Sequence, residues 1–214
     1  MQVDFQGLTA RERYKLMAGL IVPRPIALVT SLDESGIVNA APFSLFNMLG
    51  EDPPLVMISV NKNADGALKD TGANILASGE FVVHIVDEAM AQAMHECGAT
   101  MPPGVSEVDA AGLTVTPSNA VRTPRIVEAP AAFECVLHET LESGTRHVFI
   151  GRILWLHARD GLVDLERHHV HLDEFFPVGR FGASLYVRTR DRFEMREGGS
   201  PDPPSPSLDK ATRR

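Results

Sequence analysis

A lysine, an aspartate and a threonine stand together at positions 69–71, directly before an apolar segment with helical character. If the helix begins at Asp70 or Thr71, its free backbone amides point toward an anion, and the positive end of the helix dipole attracts that anion. Lys69 would add a full positive charge, and Thr71 would add a hydroxyl donor. The pattern predicts a phosphate-binding site, and its alternative is an ordinary helix start with a solvated lysine.

A second group of potential ligands lies further along the chain, where His168, His169 and His171 are followed by Asp173. In a β-strand His169 and His171 would share one face, a geometry that real metal sites use. A polar surface turn explains the same residues without any ligand. We therefore predict no metal site and keep a metal-binding protein as an alternative.

The elements that must position these residues are mostly β-strands. Residues 8–20 predict a helix, with Thr9 and Glu12 placed as in a capping box. Residues 69–78 and 89–96 predict two further helices, and residues 98–112 predict a long loop or lid. Short apolar, β-branched runs predict strands over 26–31, 37–41, 55–60, 81–86, 113–117, 132–142 and 148–159. Many short strands with few helices indicate a β-barrel with appended helices.

Composition excludes several classes of partner. The chain has 214 residues and a formal net charge of -8, and its lysines and arginines form no run. This argues against nucleic acid and against an anionic membrane surface. No segment has the roughly 20 apolar residues that span a bilayer, and the first residues do not resemble a signal peptide. Two separated cysteines, Cys97 and Cys135, are typical of a cytoplasmic protein with free thiols.

The composition changes near residue 196. From there to residue 214 the sequence is rich in Pro, Ser, Gly and charged residues, so it cannot bury enough apolar surface to fold. We predict a single domain over residues 1–195, followed by a disordered or strap-like tail over residues 196–214.

Several short motifs follow one another in a fixed order. They are residues 23–27 (PRPIA), 29–31 (VTS), 39–44 (NAAPFS), 52–54 (DPP), 69–71 (KDT), 124–126 (PRI), 150–152 (IGR) and 180–182 (RFG). Each motif alone is weak. Together, over roughly residues 10–190, they resemble the flavin reductase-like domain family, which also includes flavoredoxins.

The resemblance implies a mainly β fold with helices (α+β), namely an FMN-binding split β-barrel of Greek-key type. It also implies a homodimer with a flavin near each subunit interface, reduction of flavin by NADH or NADPH, and a flavin-dependent oxygenase as a candidate partner. In such a reaction hydride passes from nicotinamide C4 to flavin N5. Both reactive atoms belong to cofactors, so no catalytic side chain is predicted. No GxGxxG motif follows a strand, so a Rossmann site is not indicated.

The resemblance also assigns residues to the flavin. In residues 39–44, small alanines let a planar ring approach the backbone, and Pro42 fixes the turn. Arg180 could pair with the phosphate or with the reduced ring, while His147 resembles a histidine on the substrate side. The predicted cofactor-binding residues are Thr30, Asn39, Ala41, Pro42, Phe43, Ser44, Asn47, Lys69, Asp70, Thr71, Arg180, Phe181, Gly182 and Tyr186.

Two further functions remain open at this point. A flavoredoxin-like electron-transfer flavoprotein with little NAD(P)H turnover would hold FMN with the same residues. A non-enzymatic interaction domain on the same barrel is the other, because a fold does not fix a function. FMN is favoured over FAD because the sequence offers no separate site for an adenylate half.

Overall fold

The computed structural model describes residues 1–101 and 105–195, so the predicted tail over residues 196–214 lies outside the described residues. The helices are α1 (Ala10–Leu20), α2 (Asp70–Ser78), α3 (Ala91–Glu96) and α4 (Glu107–Ala110). The strands are β1 (Arg24–Pro25), β2 (Ala27–Leu32), β3 (Val38–Phe43), β4 (Phe46–Glu51), β5 (Pro54–Asn61), β6 (Glu80–Ile85), β7 (Val115–Thr116), β8 (Arg125–Ile126), β9 (Ala131–Ser143), β10 (Arg146–Ala158), β11 (Val163–Asp164), β12 (His169–Val170), β13 (Val178–Gly182) and β14 (Leu185–Arg188).

Seven antiparallel strands form the main sheet, in the order β3-β2-β6-β9-β10-β5-β4. Its two edge strands are consecutive in the chain, since β3 ends at Phe43 and β4 begins at Phe46. Three chain steps span at most roughly 11 Å, whereas the edges of a flat sheet of this width would lie about 29 Å apart. The sheet must therefore curl into a barrel. In the described part of the chain β3 and β4 form no ladder with each other, so the barrel is split between them.

A smaller sheet, β1-β13-β14, stands beside the barrel. Val178 donates a backbone hydrogen bond to Val86 at 2.9 Å, which ties this sheet to the end of β6. The remaining ladders, β11-β12 and β7-β8, are hairpin-like pairs of short strands. Among the described residues no helix has the length and the hydropathy needed to cross a membrane.

Strand β2 is buried on both faces, which explains its continuous apolar run. Ala27 and Val29 belong to a core inside the barrel, and Leu28, together with Ile26 directly before the strand, belongs to a second core under α3 and α4. Strand alternation sends successive side chains to opposite faces, so one strand serves both cores. At Gly151 in β10 an added Cβ would lie 2.4 Å from the Phe81 ring, so only glycine fits there.

His84 joins three strands within the core. Its Nδ1 donates to the Leu28 carbonyl at 2.9 Å, and its Nε2 accepts the Ile126 backbone N–H at 2.9 Å. These partners require a neutral ring with its proton on Nδ1. Complete burial lowers the pKa of His84 to about 4, because the charged form loses its hydration.

Most predicted elements are confirmed within a few residues. Helix α1 has the predicted capping box between Thr9 and Glu12, and β2 and β3 form the predicted hairpin. Strand β4 was not predicted. The strand predicted over residues 37–41 runs on to Phe43, so Pro42, which was predicted to fix a turn, lies within β3. Pro42 is tolerated there because β3 is an edge strand, where a missing N–H costs no ladder bond.

The loop predicted over residues 98–112 is only partly a loop. Its C-terminal part, residues 105–112, contains α4, which packs on β3. Glu107 accepts a hydrogen bond from the Ala40 backbone N–H at 3.0 Å, and Ser106 donates to the Val38 carbonyl at 2.6 Å. These bonds fix this end of the segment against the barrel.

Candidate functional site

A large cleft of about 940 Å³ opens between α1, the β13-β14 hairpin and the end of β3. This volume is at the upper end of the range of about 300–1,000 Å³ that is typical of small-molecule sites. Its lining is mainly apolar and aromatic, and its charged members are all basic. The lining residues are Tyr14, Lys15, Ala18, Gly19, Arg24, Ile26, Pro42, Ser44, Met94, His95, Gly98, Arg180, Phe181, Gly182, Ala183, Leu185 and Tyr186.

A smaller and more polar cleft of about 170 Å³ lies next to it. Tyr14, Pro42 and Ser44 border both clefts, so the two adjoin. Hydroxyl, amide and cationic groups dominate the small cleft. Its lining residues are Tyr14, Pro42, Phe43, Ser44, Leu45, Ser59, Asn61, Lys69 and Arg146.

Lys69 is the N-cap of α2, at the wall of the small cleft. Its side chain caps no backbone group, and α2 begins at Asp70, as the sequence predicts. A lysine has no acceptor for the first amides of a helix, so it does not compete with an anion for them. The ammonium and the positive end of the helix dipole act together on this side of the cleft.

Arg146 supplies the second cation of the small cleft from β10. Its Nη1 donates to the Ser59 carbonyl at 3.4 Å, and its guanidinium lies 5.6 Å from the centre of the Tyr14 ring. Partial burial lowers the pKa of Arg146 below its usual value. In the register of the sheet Arg146 faces Asn61, which also lines this cleft.

His147 points to the opposite face of β10. Its ring stacks on Phe149, with 5.7 Å between the ring centres, and Phe149 belongs to the barrel core. Because side chains alternate along a strand, the Arg146 side chain faces the small cleft and the His147 side chain faces the barrel core. The predicted substrate-side position of His147 has no support from this geometry.

Asn39 and Thr71 connect β3 to α2. The Asn39 side-chain amide donates to the Thr71 hydroxyl at 2.9 Å, and the Asn74 amide donates to the Ser31 hydroxyl at 3.2 Å. Thr71 and Ser31 are buried, so this network holds the start of α2 against the barrel. Asn39 and Thr71 thus position Lys69, and neither borders the large or the small cleft.

The β13-β14 hairpin closes the large cleft from the other side. The Arg180 guanidinium lies 4.5 Å from the centre of the Tyr186 ring and donates to the Ala183 carbonyl. The Tyr186 hydroxyl lies 3.4 Å from Nδ1 of His95 on α3. The hairpin touches α1 near Gly182, where an added Cβ would lie 3.8 Å from the Ala18 carbonyl oxygen.

The structure brings some of the predicted cofactor-binding residues together. Pro42, Phe43, Ser44 and Lys69 border the small cleft, and Pro42 and Ser44 also border the large one. Arg180, Phe181, Gly182 and Tyr186 border the large cleft. Residues that are distant in sequence thus meet around one continuous depression.

Other predicted residues stand apart from both clefts. Thr30 is fully buried and its hydroxyl donates to the Pro124 carbonyl at 2.7 Å, so it contributes to the core. The Asn47 side chain accepts the Met48 backbone N–H at 3.0 Å. Asp70 and Ala41 border neither cleft.

Several lining residues were not predicted, namely Tyr14, Lys15, Ser59, Asn61, His95 and Arg146. Ser59 and Asn61 had a sequence signal, because polar residues alternate with Ile58 and Val60 in a strand and must face away from the core. Lys15 and His95 of the large cleft had none, because they come from separate elements, α1 and α3.

His168, His169 and His171 were considered as metal ligands in the sequence, and no metal site was predicted there. They lie at and beside β12, and all three are exposed. Within residues 1–101 and 105–195 no group of three or more His, Cys, Asp and Glu side chains could hold a metal ion.

The chain is similar to several known proteins. The family model described as "Flavin reductase like domain" matches residues 17–173. The 2-nitrobenzoate 2-nitroreductase NbaA of Pseudomonas fluorescens is 42% identical, with a TM-score of 0.84 over 92% of this chain and 95% of NbaA. Component B of nitrilotriacetate monooxygenase from Bacillus cereus is 35% identical, with a TM-score of 0.87 over 91% of this chain and 98% of that protein.

A more distant structure supports the fold alone. The flavoredoxin of Desulfovibrio vulgaris is 21% identical, with a TM-score of 0.72 over 91% of this chain and 97% of that chain. The predicted class, a mainly β split barrel with helices, is confirmed. Because the family model covers most of the chain and relatives above 30% identity cover nine-tenths of it, the chain belongs to the flavin reductase like domain family, whose function is flavin-related oxidoreduction.

Proposed function

We propose that this protein binds FMN and reduces it with NADH or NADPH. The observation that carries the proposal is the pair of adjoining clefts, one small, polar and cationic and the other large, apolar and aromatic. FMN has the same two parts, a phosphate on a polar chain and a planar ring. A flavin with its phosphate in the small cleft would place its ring in the large one.

The phosphate end would be held by charge and by hydrogen bonds. Lys69 and Arg146 flank the small cleft, and Ser44, Ser59 and Asn61 add donors between them. Charge-assisted bonds of this kind are roughly twice as strong as neutral ones. Hydroxyl, amide and cationic donors are the groups that a phosphate and a ribityl chain would require.

The ring end would be positioned by the β3 edge and the β13-β14 hairpin. Pro42 borders the large cleft from β3, while Phe181 and Tyr186 supply aromatic contact from the hairpin. When bound, FMN supplies the hydride-accepting atom and passes the electrons on. The side chains of this protein bind and orient the reactants and exclude water, and we assign no catalytic acid or base to them.

The visible absorption spectrum of the purified protein tests the first half of this proposal. We expect flavin bands from the protein as isolated or after addition of FMN, and we expect the released chromophore to be FMN. Steady-state oxidation of NADH and NADPH with added FMN tests the second half. A protein that binds FMN but oxidises neither nucleotide would instead be an electron-transfer flavoprotein, and one that takes up no FMN would contradict the proposal altogether.

A second candidate function is the direct reduction of a small organic acceptor on the bound flavin. Its support is the size of the large cleft, together with 42% identity to a protein described as a 2-nitrobenzoate 2-nitroreductase. NADH-dependent consumption of 2-nitrobenzoate, measured by chromatography with and without FMN, tests it. Consumption at the rate of a protein-free control would exclude this acceptor.

We also propose a partner oxygenase and a homodimer. The first rests on 35% identity to component B of nitrilotriacetate monooxygenase. A flavin-dependent oxygenase whose turnover rises when this protein and NADH are added would support it.

The proposed homodimer rests on exposed apolar side chains of β10, where Leu154, Trp155 and Leu156 follow one another. Large exposed apolar patches commonly mark protein interfaces.

A further inference from the structure

The large cleft carries a charge opposite to that of the chain. Lys15, His95 and Arg180 line it, and its described lining contains no Asp or Glu side chain. The whole chain has a formal net charge of -8. A basic lining in an acidic protein focuses anions into the cleft, because low-dielectric walls concentrate the field.

Arg24 also borders this cleft, but its guanidinium already donates hydrogen bonds to backbone carbonyls of α1 and its C-cap. It is 7% exposed, and its Nη1 donates to the carbonyls of Ala18 and Ile21 at 2.6 Å each. Under the proposed function the flavin phosphate is held by Lys69 and Arg146 in the small cleft. The charges of Lys15 and Arg180 therefore remain for a second molecule, and this inference rests on the proposed function.

Lys15 and Arg180 face the cleft with free donors. Across the described part of the chain the Lys15 ammonium has no carboxylate within 4.0 Å, and Arg180 uses only Nη2, on the Ala183 carbonyl. The remaining guanidinium N–H groups match the fork of a carboxylate. Tyr14, Phe181 and Leu185 surround them with flat or apolar surface.

We infer that the large cleft selects a planar aromatic carboxylate as the second ligand on the flavin, with Lys15 and Arg180 holding the carboxylate. The aromatic body would lie among the apolar and aromatic residues of the lining. A neutral analogue of the same shape would lose the charge-assisted bonds to both cations.

Binding of benzoate and benzamide to the FMN-loaded protein tests this inference. The two probes have nearly the same shape, and only benzoate carries a charge. Their binding is followed by the change in flavin absorbance. We expect benzoate to bind at least about tenfold more tightly than benzamide, which is the scale of one charge-assisted bond.

Variants assign the effect to the named residues. Lys15→Met and Arg180→Met are each expected to weaken benzoate binding about tenfold and to leave benzamide within about twofold. Lys15 is exposed on α1, so its substitution leaves the core intact. Lys62→Met is the matched control, because Lys62 pairs with Glu142 and borders neither cleft.

Three results would overturn the inference. Equal affinity for benzoate and benzamide in a protein that binds FMN and oxidises NADH or NADPH would overturn it alone and leave the proposed function standing. Variants that raise KM for NADH or NADPH while benzoate binding is unchanged would assign the cations to dinucleotide phosphates instead. Failure to take up FMN would overturn both the inference and the proposed function.

Discussion

Arg146 and Lys69 reach the small cleft from a strand and from a helix start that are distant in sequence. Lys69 was predicted, because a basic residue before a helix is visible in the sequence. Arg146 was not predicted, and the adjacent His147 was assigned to the site in its place. Which of two adjacent strand residues faces a cleft depends on how the strand pairs in the sheet, which the sequence alone does not show. Thr30 was also predicted at the flavin, and only the fold shows that its hydroxyl donates to the Pro124 carbonyl, directly before β8.

Replacement of Arg146 by Met should weaken FMN binding by about 10- to 100-fold, because a charge-assisted bond to the phosphate is lost. Lys69→Met should have a smaller effect, about threefold to tenfold, because Lys69 is exposed and screened by water. Fluorescence titration of the apoprotein with FMN measures both.

Riboflavin, which lacks the phosphate, is the control ligand for these variants. Its affinity should change by less than about threefold, since the lost charge-assisted bond goes to the phosphate. Equal losses for FMN and riboflavin would show that Arg146 and Lys69 shape the cleft and do not bind phosphate.

His84 should make stability depend on pH. Its pKa is about 4 in the folded protein and 6.5 as the ordinary value, so between these pH values only the unfolded chain takes up the proton. The free energy of unfolding should therefore rise by up to about 3 kcal/mol from pH 4 to pH 6.5 and then level off. Urea unfolding at a series of pH values measures this slope.

The variant His84→Gln should lose most of that slope, because glutamine keeps a donor and an acceptor but does not titrate. His138→Gln is the matched control, since His138 is exposed on β9. A slope in His84→Gln as steep as in the unaltered protein would assign the pH dependence to other groups.

At the scale of elements, α1 is the least anchored wall of the site. None of its residues is buried, although Tyr14 borders both clefts. Its first turn is held by the capping box and its last turn by Arg24, which donates to the Ala18 and Ile21 carbonyls. Free carbonyls at a helix end need such a donor. The capping box was readable from the sequence, whereas the Arg24 contact depends on how the smaller sheet places β1.

Replacement of Arg24 by Met should loosen the last turn of α1. Amide exchange at residues 17–21 should accelerate about 10-fold or more, because charge-assisted bonds to two carbonyls are lost. Hydrogen–deuterium exchange read by mass spectrometry measures this. Arg11→Met on the same helix is the control, and equal acceleration in both variants would argue against a specific role for Arg24.

The hairpin β2-β3 and the strands with clear alternation could be predicted from local sequence. Strand β4 could not, because Met48, Leu49 and Gly50 show no period-two pattern and β4 is an edge strand that bulges near Gly50. Strand β13 was not predicted either, and two of its five residues are glycines. Gly179 is needed where β13 packs on β1, since an added Cβ would lie 3.3 Å from the Arg24 carbonyl oxygen.

At the scale of the whole molecule, net charge and composition predicted which partners to exclude, and the motif order predicted the split barrel. The concentration of basic residues in the large cleft could not be predicted, because Lys15, His95 and Arg180 come from α1, α3 and β13. Only the folded chain places them around one opening.

The proposed homodimer gives a prediction at this scale. Trp155 is 48% exposed on β10, between exposed leucines. Trp155→Glu should convert a dimer to a monomer, because a charge would be buried without a partner in the interface. Sedimentation velocity measures the change. Leu165→Glu is the control, since Leu165 is exposed on the turn after β11. A monomeric unaltered protein would contradict the proposal.

The short link between β3 and β4 has a consequence for how this protein tolerates changes in length. Ser44 and Leu45 span the opening of the barrel, and Ser44 borders both clefts. Most surface loops accept inserted residues with little effect. This link acts instead as a spacer of fixed length, and each added residue would allow roughly 3.5 Å of further separation between the two edges. The number of residues in the link therefore limits the width of the barrel opening, so under the proposed function an insertion there would weaken flavin binding even if every lining residue were kept.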